Sequence, residues 1–225
     1  MNPNHHPRKI EQDLGGINLS VHYYPGSVAP SCVLICLPGV GGFGLGLYQD
    51  LARDMTRDAN MHVVTVDFQA AARPGGFPNI VAILTEYLRS IQYPIMIIGW
   101  SYGGAVALEL AHALRDKVIK GVVTIASQGA PTEHQRGRGG IVGIETLTPP
   151  LLFVAGTADS CIPSAPRIAT EFEEMAVKSS AKSSLIIEGA GHDCRGSEDY
   201  VYAWIMEQAS KQTSSSTREK TTPCW

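Results

Sequence analysis

Residues 95–104 read Ile95-Met96-Ile97-Ile98-Gly99-Trp100-Ser101-Tyr102-Gly103-Gly104, and this stretch decides the fold. Its first half is a short, wholly apolar run of the kind a strand buried on both faces requires. Directly after Gly104 the chain becomes Ala- and Leu-rich, a helix-forming segment. The junction has the pattern G-x-S-x-G. A sharp strand-to-helix turn strains the serine backbone and brings neighbouring chain close, so positions 99 and 103 must lack side chains. Such a turn presents the serine hydroxyl at a helix N-terminus, where the dipole and the unpaired N–H groups favour developing negative charge. Gly and Ser are common in this chain, so the pattern alone is weak; its place between strand and helix gives it weight.

Outward from this junction the same alternation repeats. Residues 17–24 (INLSVHYY) alternate like an edge strand, and 32–37 (CVLICL) are apolar throughout. Residues 62–68, 120–126, 151–155 and 184–188 are further β-branched runs. Between them lie helical spacers. Ile80, Ile83, Leu84, Tyr87, Leu88 and Ile91 fall on one stripe at spacings of three and four, and Ile168, Phe172 and Met175 mark another. Val201, Trp204, Ile205 and Gln208 mark a last helix, with Ser197 as its expected N-cap. Strands separated by helices need crossovers, hence an α/β fold with a mostly parallel central sheet and helices on both faces. In such sheets chemistry collects at the carboxyl ends of the strands.

Composition is consistent with this and narrows function. The chain has 225 residues, enough for one domain with a sizeable core, with 44% hydrophobic and 17% charged residues. Lys+Arg number 18 against Asp+Glu 21, a balance that argues against nucleic acid as the main partner. No apolar run approaches the roughly 18 residues of a spanning helix. The first residues lack the apolar core of a secretory signal. Five cysteines at 32, 36, 161, 194 and 224 form neither a disulfide framework nor the CxxC pairs of a structural zinc site. The expectation is a cytoplasmic protein with no metal and no cofactor. Residues 1–10 are expected to be a flexible N-terminus, 11–210 a single domain, and the Ser/Thr-rich 211–225 a disordered tail.

A serine hydroxyl needs a base to take its proton, and the base needs an orienting acid. After the run at 151–155 come Gly156-Thr157-Ala158-Asp159, an Asp just past a strand end. After the last run come Gly189-Ala190-Gly191-His192-Asp193, a Gly-rich turn that carries a His. The other six histidines lie in the tail, in strands, in a helix or in an unrelated loop; only His192 follows the last strand. Asp193 and Glu188 compete with Asp159 but sit beside His192 in the chain. The plain alternatives are a turn-capping Asp159 and a surface-loop His192.

The G-x-S-x-G turn and the order Ser101, Asp159, His192 resemble the α/β-hydrolase fold family, over about residues 17–209. Small lidless serine hydrolases, carboxylesterase-like and dienelactone-hydrolase-like, are nearest; dienelactone hydrolases proper have Cys where this chain has Ser101. The resemblance implies Ser101 as nucleophile, Asp159 as acid and His192 as base. It also implies an oxyanion hole of two backbone N–H groups, from Tyr102 and from Val40 in the loop Leu37-Pro38-Gly39-Val40-Gly41-Gly42. Asp67 with Arg73-Pro74-Gly75-Gly76 resembles a structural loop of the family. The connection at 127–150 is too short for a multi-helix cap, which implies a minimal lid. Arg136 and Arg138 within it are candidates for an anionic substrate, although facing water is the plainer reading.

The expected function is a serine hydrolase cleaving an ester, thioester or related acyl bond of a small-molecule substrate through an acyl-serine intermediate. A triad-bearing lyase and a low-turnover ligand-binding protein are the alternatives. Cys161 and Cys194 each lie two residues beyond a proposed triad member. If those loops touch, the thiols are candidates for a bridge, although two unrelated loop cysteines is the plainer reading.

Overall fold

The computed structural model describes residues 8–14, 17–23, 30–39, 50–51, 54–57, 61–67, 77–127 and 143–211. The seven expected strands and one more, β1, form one eight-stranded sheet: β1 (Arg8–Asp13), β2 (Asn18–Tyr23), β3 (Val33–Leu37), β4 (His62–Asp67), β5 (Ile95–Trp100), β6 (Ile119–Ile125), β7 (Leu151–Gly156) and β8 (Lys182–Ile187). Their spatial order is β1-β2-β4-β3-β5-β6-β7-β8. From β4 through β8 all neighbours are parallel, while β2 runs antiparallel to both β1 and β4. The helices that matter for the site are α1 (Phe77–Ser90), α2 (Tyr102–Ala113), α3 (Ala165–Met175) and α4 (Glu198–Ser210); residues 50–51 and 54–57 are helical too, and Ile144–Thr146 form a 3-10 turn.

β1 departs from the sequence reading. The segment Arg8-Lys9-Ile10-Glu11-Gln12-Asp13 carries no apolar pattern, and its first residues fall in the stretch expected to be flexible. Backbone pairing with β2 over the full register from Arg8 opposite Tyr23 to Asp13 opposite Asn18 makes it a strand. Exposed Glu11 and Asp13 suit a sheet edge, where charge discourages pairing with another chain. β2, expected at the edge, is therefore the second strand.

The core lies on both faces of the sheet. On one face Val33, Ile35, Leu37, Ile95, Ile97 and Phe153 pack under α1, α2 and α3, with Ile80, Leu84 and Leu88 of α1 fully buried as the stripe predicts. On the other, Leu34, Met96, Ile98, Val123 and Leu152 pack with Leu51, Met55 and α4. The central strands β3, β5 and β7 are buried at nearly every position, which is why they read as unbroken apolar runs. Helix α2 is covered almost all round, and its Ala and Gly residues allow that close approach. Gly121 of β6 faces α4: a Cβ there would lie 2.7 Å from the Trp204 ring. Ser197 holds the N-cap position of α4 but makes no capping bond through its side chain; the Glu198 carboxylate instead accepts from Gly196 N–H at 2.6 Å.

Candidate functional site

The turn between β5 and α2 sets the site. Ser101 has φ 54° and ψ −117°, a conformation that costs a non-glycine residue on the order of 1–3 kcal/mol and persists only where its surroundings impose it. Here the surroundings are backbone. A Cβ at Gly99 would lie 2.1 Å from the Gly103 oxygen, and one at Gly103 would lie 2.3 Å from the Leu37 oxygen. The first glycine of the motif thus lets α2 start beside the strand; the second lets it pass against the end of β3. Ser101 N–H donates to Ile125 O at 2.8 Å, which ties the turn to β6. Ser101 is only 7% exposed, so it sits at the floor of the site, more covered than its turn alone implies.

Asp159 and His192 meet across the ends of β7 and β8. His192 Nδ1 and Asp159 Oδ2 are 2.8 Å apart. The other carboxylate oxygen, Oδ1, accepts Cys161 N–H at 2.8 Å and Ile162 N–H at 2.7 Å. Bonds of this kind to a carboxylate contribute about 1.5–3 kcal/mol each. They fix the carboxyl plane, so the second oxygen has one place to point. The Asp159 side chain has no exposed surface, and that of His192 is 19% exposed. Asp193 turns away and pairs with exposed Arg195 at 2.7 Å.

Hydrogen bonds stitch the Asp159 loop to the His192 loop. Thr157 N–H donates to Ile187 O at 3.0 Å and Ala158 N–H to Ala190 O at 2.9 Å; Gly189 N–H donates to Thr157 Oγ1 at 2.8 Å. A Cβ at Gly156 would lie 2.2 Å from Ala190 O, so only glycine permits this approach.

Two residues that the sequence reading did not assign support this arrangement. Trp100 donates its indole N–H to His192 O at 2.9 Å, and its ring lies 5.3 Å from the imidazole, centroid to centroid. It stands next to the serine in the motif, but nothing in the chain names its partner 92 residues away. Cys194 is fully buried, with the backbone of Ala126 and Gly156 against its thiol; burial first, then the nearby Asp159 and Asp193 charges, push that thiol up to about 12. Among the described residues, the non-glycine residues at positive φ are Ser101, Ala126 and Cys194; the first two directly follow β5 and β6, and Cys194 lies in the loop after β8. Cys161, by contrast, is exposed, and both thiols are free. The bridge considered from sequence thus pairs a surface thiol with a core one, and it is not formed.

Of the expected oxyanion donors, Tyr102 is the first residue of α2. Val40 lies outside the described residues, as do Arg73, Arg136 and Arg138. Gly39, the described residue before Val40, approaches the serine: a Cβ there would lie 3.1 Å from the Trp100 ring and 3.2 Å from Ser101 Cβ. No helix among the described residues is long and apolar enough to cross a membrane.

A sheet with its second strand reversed, and a strained serine turn after a central strand, define the class. Residues 33–140 match the thioesterase domain family; the match spans the Ser101 turn and ends before Asp159. Est1E from Butyrivibrio proteoclasticus superposes with a TM-score of 0.68 at 15% identity, covering 90% of this chain and 99% of that one. A dienelactone hydrolase from Anabaena variabilis superposes with a TM-score of 0.66 at 14% identity, covering 91% and 97%. A dienelactone-hydrolase-like promiscuous phosphotriesterase from metagenomic libraries gives 0.63 at 14%, covering 91% and 97%. No curated protein matches the chain in sequence. The chain is an α/β-hydrolase-fold protein.

Proposed function

We propose that the chain is a serine hydrolase that cleaves an ester or thioester of a small-molecule acyl substrate. The observation that carries this reading is the 2.8 Å bond between His192 Nδ1 and Asp159 Oδ2, made at the same end of the sheet as the strained Ser101 turn. The Asp159 carboxylate accepts the Nδ1 proton and so leaves the lone pair on Nε2. Nε2 takes the Ser101 proton as Oγ attacks the acyl carbon. The carbonyl oxygen becomes negative and is met by the N–H groups of Tyr102 and Val40, with the N-terminus of α2 behind them. His192 returns its proton to the departing alcohol or thiol, and an acyl-Ser101 remains. Water then attacks, giving its proton to Nε2, and the acid leaves as Ser101 recovers its hydrogen.

The thioesterase-domain match supports an acyl bond as the target. The test is a fluorophosphonate probe combined with a panel of p-nitrophenyl esters and acyl-CoAs of different chain length. The expected outcome is labelling at Ser101 and turnover that falls by about 10⁴-fold or more in Ser101→Ala, with the melting curve unchanged because no core cavity opens. Full esterase activity in the pure variant overturns the reading. Labelling without a hydrolysed product points instead to a lyase or a binding protein.

A further inference from the structure

The fold brings together three donors that the sequence keeps apart. The ligand-capable atoms of Asp159, Cys161 and His192 all lie within 4.8 Å of one another. This is a carboxylate, a thiol and an imidazole, the donor chemistry of zinc and its soft divalent relatives. Spacing along the chain gives no hint of it, because Asp159-Ser160-Cys161 is a short loop and His192 comes from the next strand end.

We infer that Asp159, Cys161 and His192 form a binding site for a soft divalent cation, Zn²⁺ in the first instance, and that occupancy silences the proposed acyl chemistry. Donors around a tetrahedral zinc, at about 2.0–2.3 Å from the metal, stand roughly 3.2–3.8 Å from each other. A set already inside 4.8 Å, with its Asp159–His192 pair at 2.8 Å, needs only small shifts to meet those spacings. The partners differ in freedom in a useful way. Asp159 is held by two backbone N–H bonds, while Cys161 is exposed and its thiol can swing toward the other two. Three protein ligands leave a fourth position for water, as in zinc sites that are not purely structural.

The protons balance as follows. The Cys161 thiol gives up its proton to solvent and binds as thiolate. The nitrogen that faces Asp159 is Nδ1, 2.8 Å from Oδ2, so Nδ1 is the one that joins Asp159 and Cys161 on the ion. The proton that Nδ1 carried moves to Nε2, and the lone pair that would accept the Ser101 proton is lost. One proton is released per ion, and His192 is no longer a base. This second part rests on the serine-hydrolase reading; the binding itself does not.

The test uses the full chain, stripped of metal with a chelator and titrated with Zn²⁺ alone by calorimetry in two buffers of different ionisation enthalpy. Co²⁺ is followed separately for the near-ultraviolet sulfur-to-cobalt charge-transfer band. The expected result is one ion per chain, one proton released, and a cobalt band. Cys161→Ser is expected to weaken Zn²⁺ by about tenfold or more and to abolish the band, while Ser101→Ala binds as the parent does. Equal Zn²⁺ affinity in the parent and in Cys161→Ser overturns the inference, as does a parent without the cobalt band. No substrate enters these measurements, so they stand even if the chain proves not to be a hydrolase. If it is one, Zn²⁺ is expected to inhibit the parent far more than Cys161→Ser.

Discussion

Asp159 and Asp193 lie on either side of a distinction that chain position could not make. Both are near His192, yet only Asp159 bonds its imidazole; Asp193 spends its carboxylate on Arg195 at the surface. Asp159→Asn leaves the site's shape but offers an amide where the Nδ1 proton needs an acceptor, so the imidazole is held in the wrong tautomer. A drop in kcat on the order of 10⁴ is expected, against a change of a few-fold at most for Asp193→Asn. Steady-state kinetics on one good ester decides it; the reverse order reassigns the acid. Trp100→Phe is a finer test. It keeps a ring against His192 but removes the donor to His192 O. A neutral hydrogen bond contributes about 1 kcal/mol, so kcat is expected to fall about five-fold with KM little changed. An unchanged kcat would show that the indole only fills space.

At the scale of elements, the turn between β5 and α2 has almost no tolerance. Gly99→Ala drives a methyl into the Gly103 carbonyl at 2.1 Å. That clash is with backbone, so relief requires α2 to shift, and overpacking of this kind costs about 1–3 kcal/mol or more. The expected outcome is a lowered urea midpoint together with near-complete loss of turnover, because the strain that presents Ser101 is lost with the turn. A Gly99→Ala variant with the parent's midpoint and activity would show that the close approach is not needed. The same element also shows the limits of pattern reading. Periodicity found α1, α3 and α4, and the apolar runs found seven strands to within a few residues. β1 escaped because an edge strand of six mostly polar residues has no hydrophobic signature; only its hydrogen-bonded partner β2 makes it a strand.

For the molecule as a whole, three thiols are sealed into the sheet or against it. Burial pushes Cys32 up to about 12, with Lys120 partly opposing, and pushes Cys36 higher still; Cys194 is raised to about 12. In the unfolded chain these thiols ionise near their ordinary value, about 8.5. The folded state therefore holds protons that the unfolded state gives up. The stability this represents is complete below about pH 8.5 and is lost as pH rises toward 12. Each thiol contributes a slope of more than about 1 kcal/mol per pH unit in that window. The urea midpoint is expected to fall between pH 8.5 and 10.5, and to fall less steeply in Cys36→Ala, whose own packing loss is read at pH 7. Parallel curves for the two proteins would show that Cys36 ionises as readily folded as unfolded.

The sequence by itself determined the layered α/β class and the strand-turn-helix that carries Ser101. It also determined the positions of Asp159 and His192 past the ends of their strands. These are local facts: apolar runs of strand length, a stripe of helical period, and glycines where a turn admits no side chain. Only the tertiary structure decided which partners those residues have. That Asp159 rather than Asp193 bonds His192, that Trp100 holds the His192 carbonyl, and that Cys161 stands open beside Asp159 and His192 while Cys194 is buried all depend on how β5, β7 and β8 lie in one sheet. A contact between residues 33 or 92 positions apart is set by the packing of whole strands against one another. No window of the chain contains both of its ends.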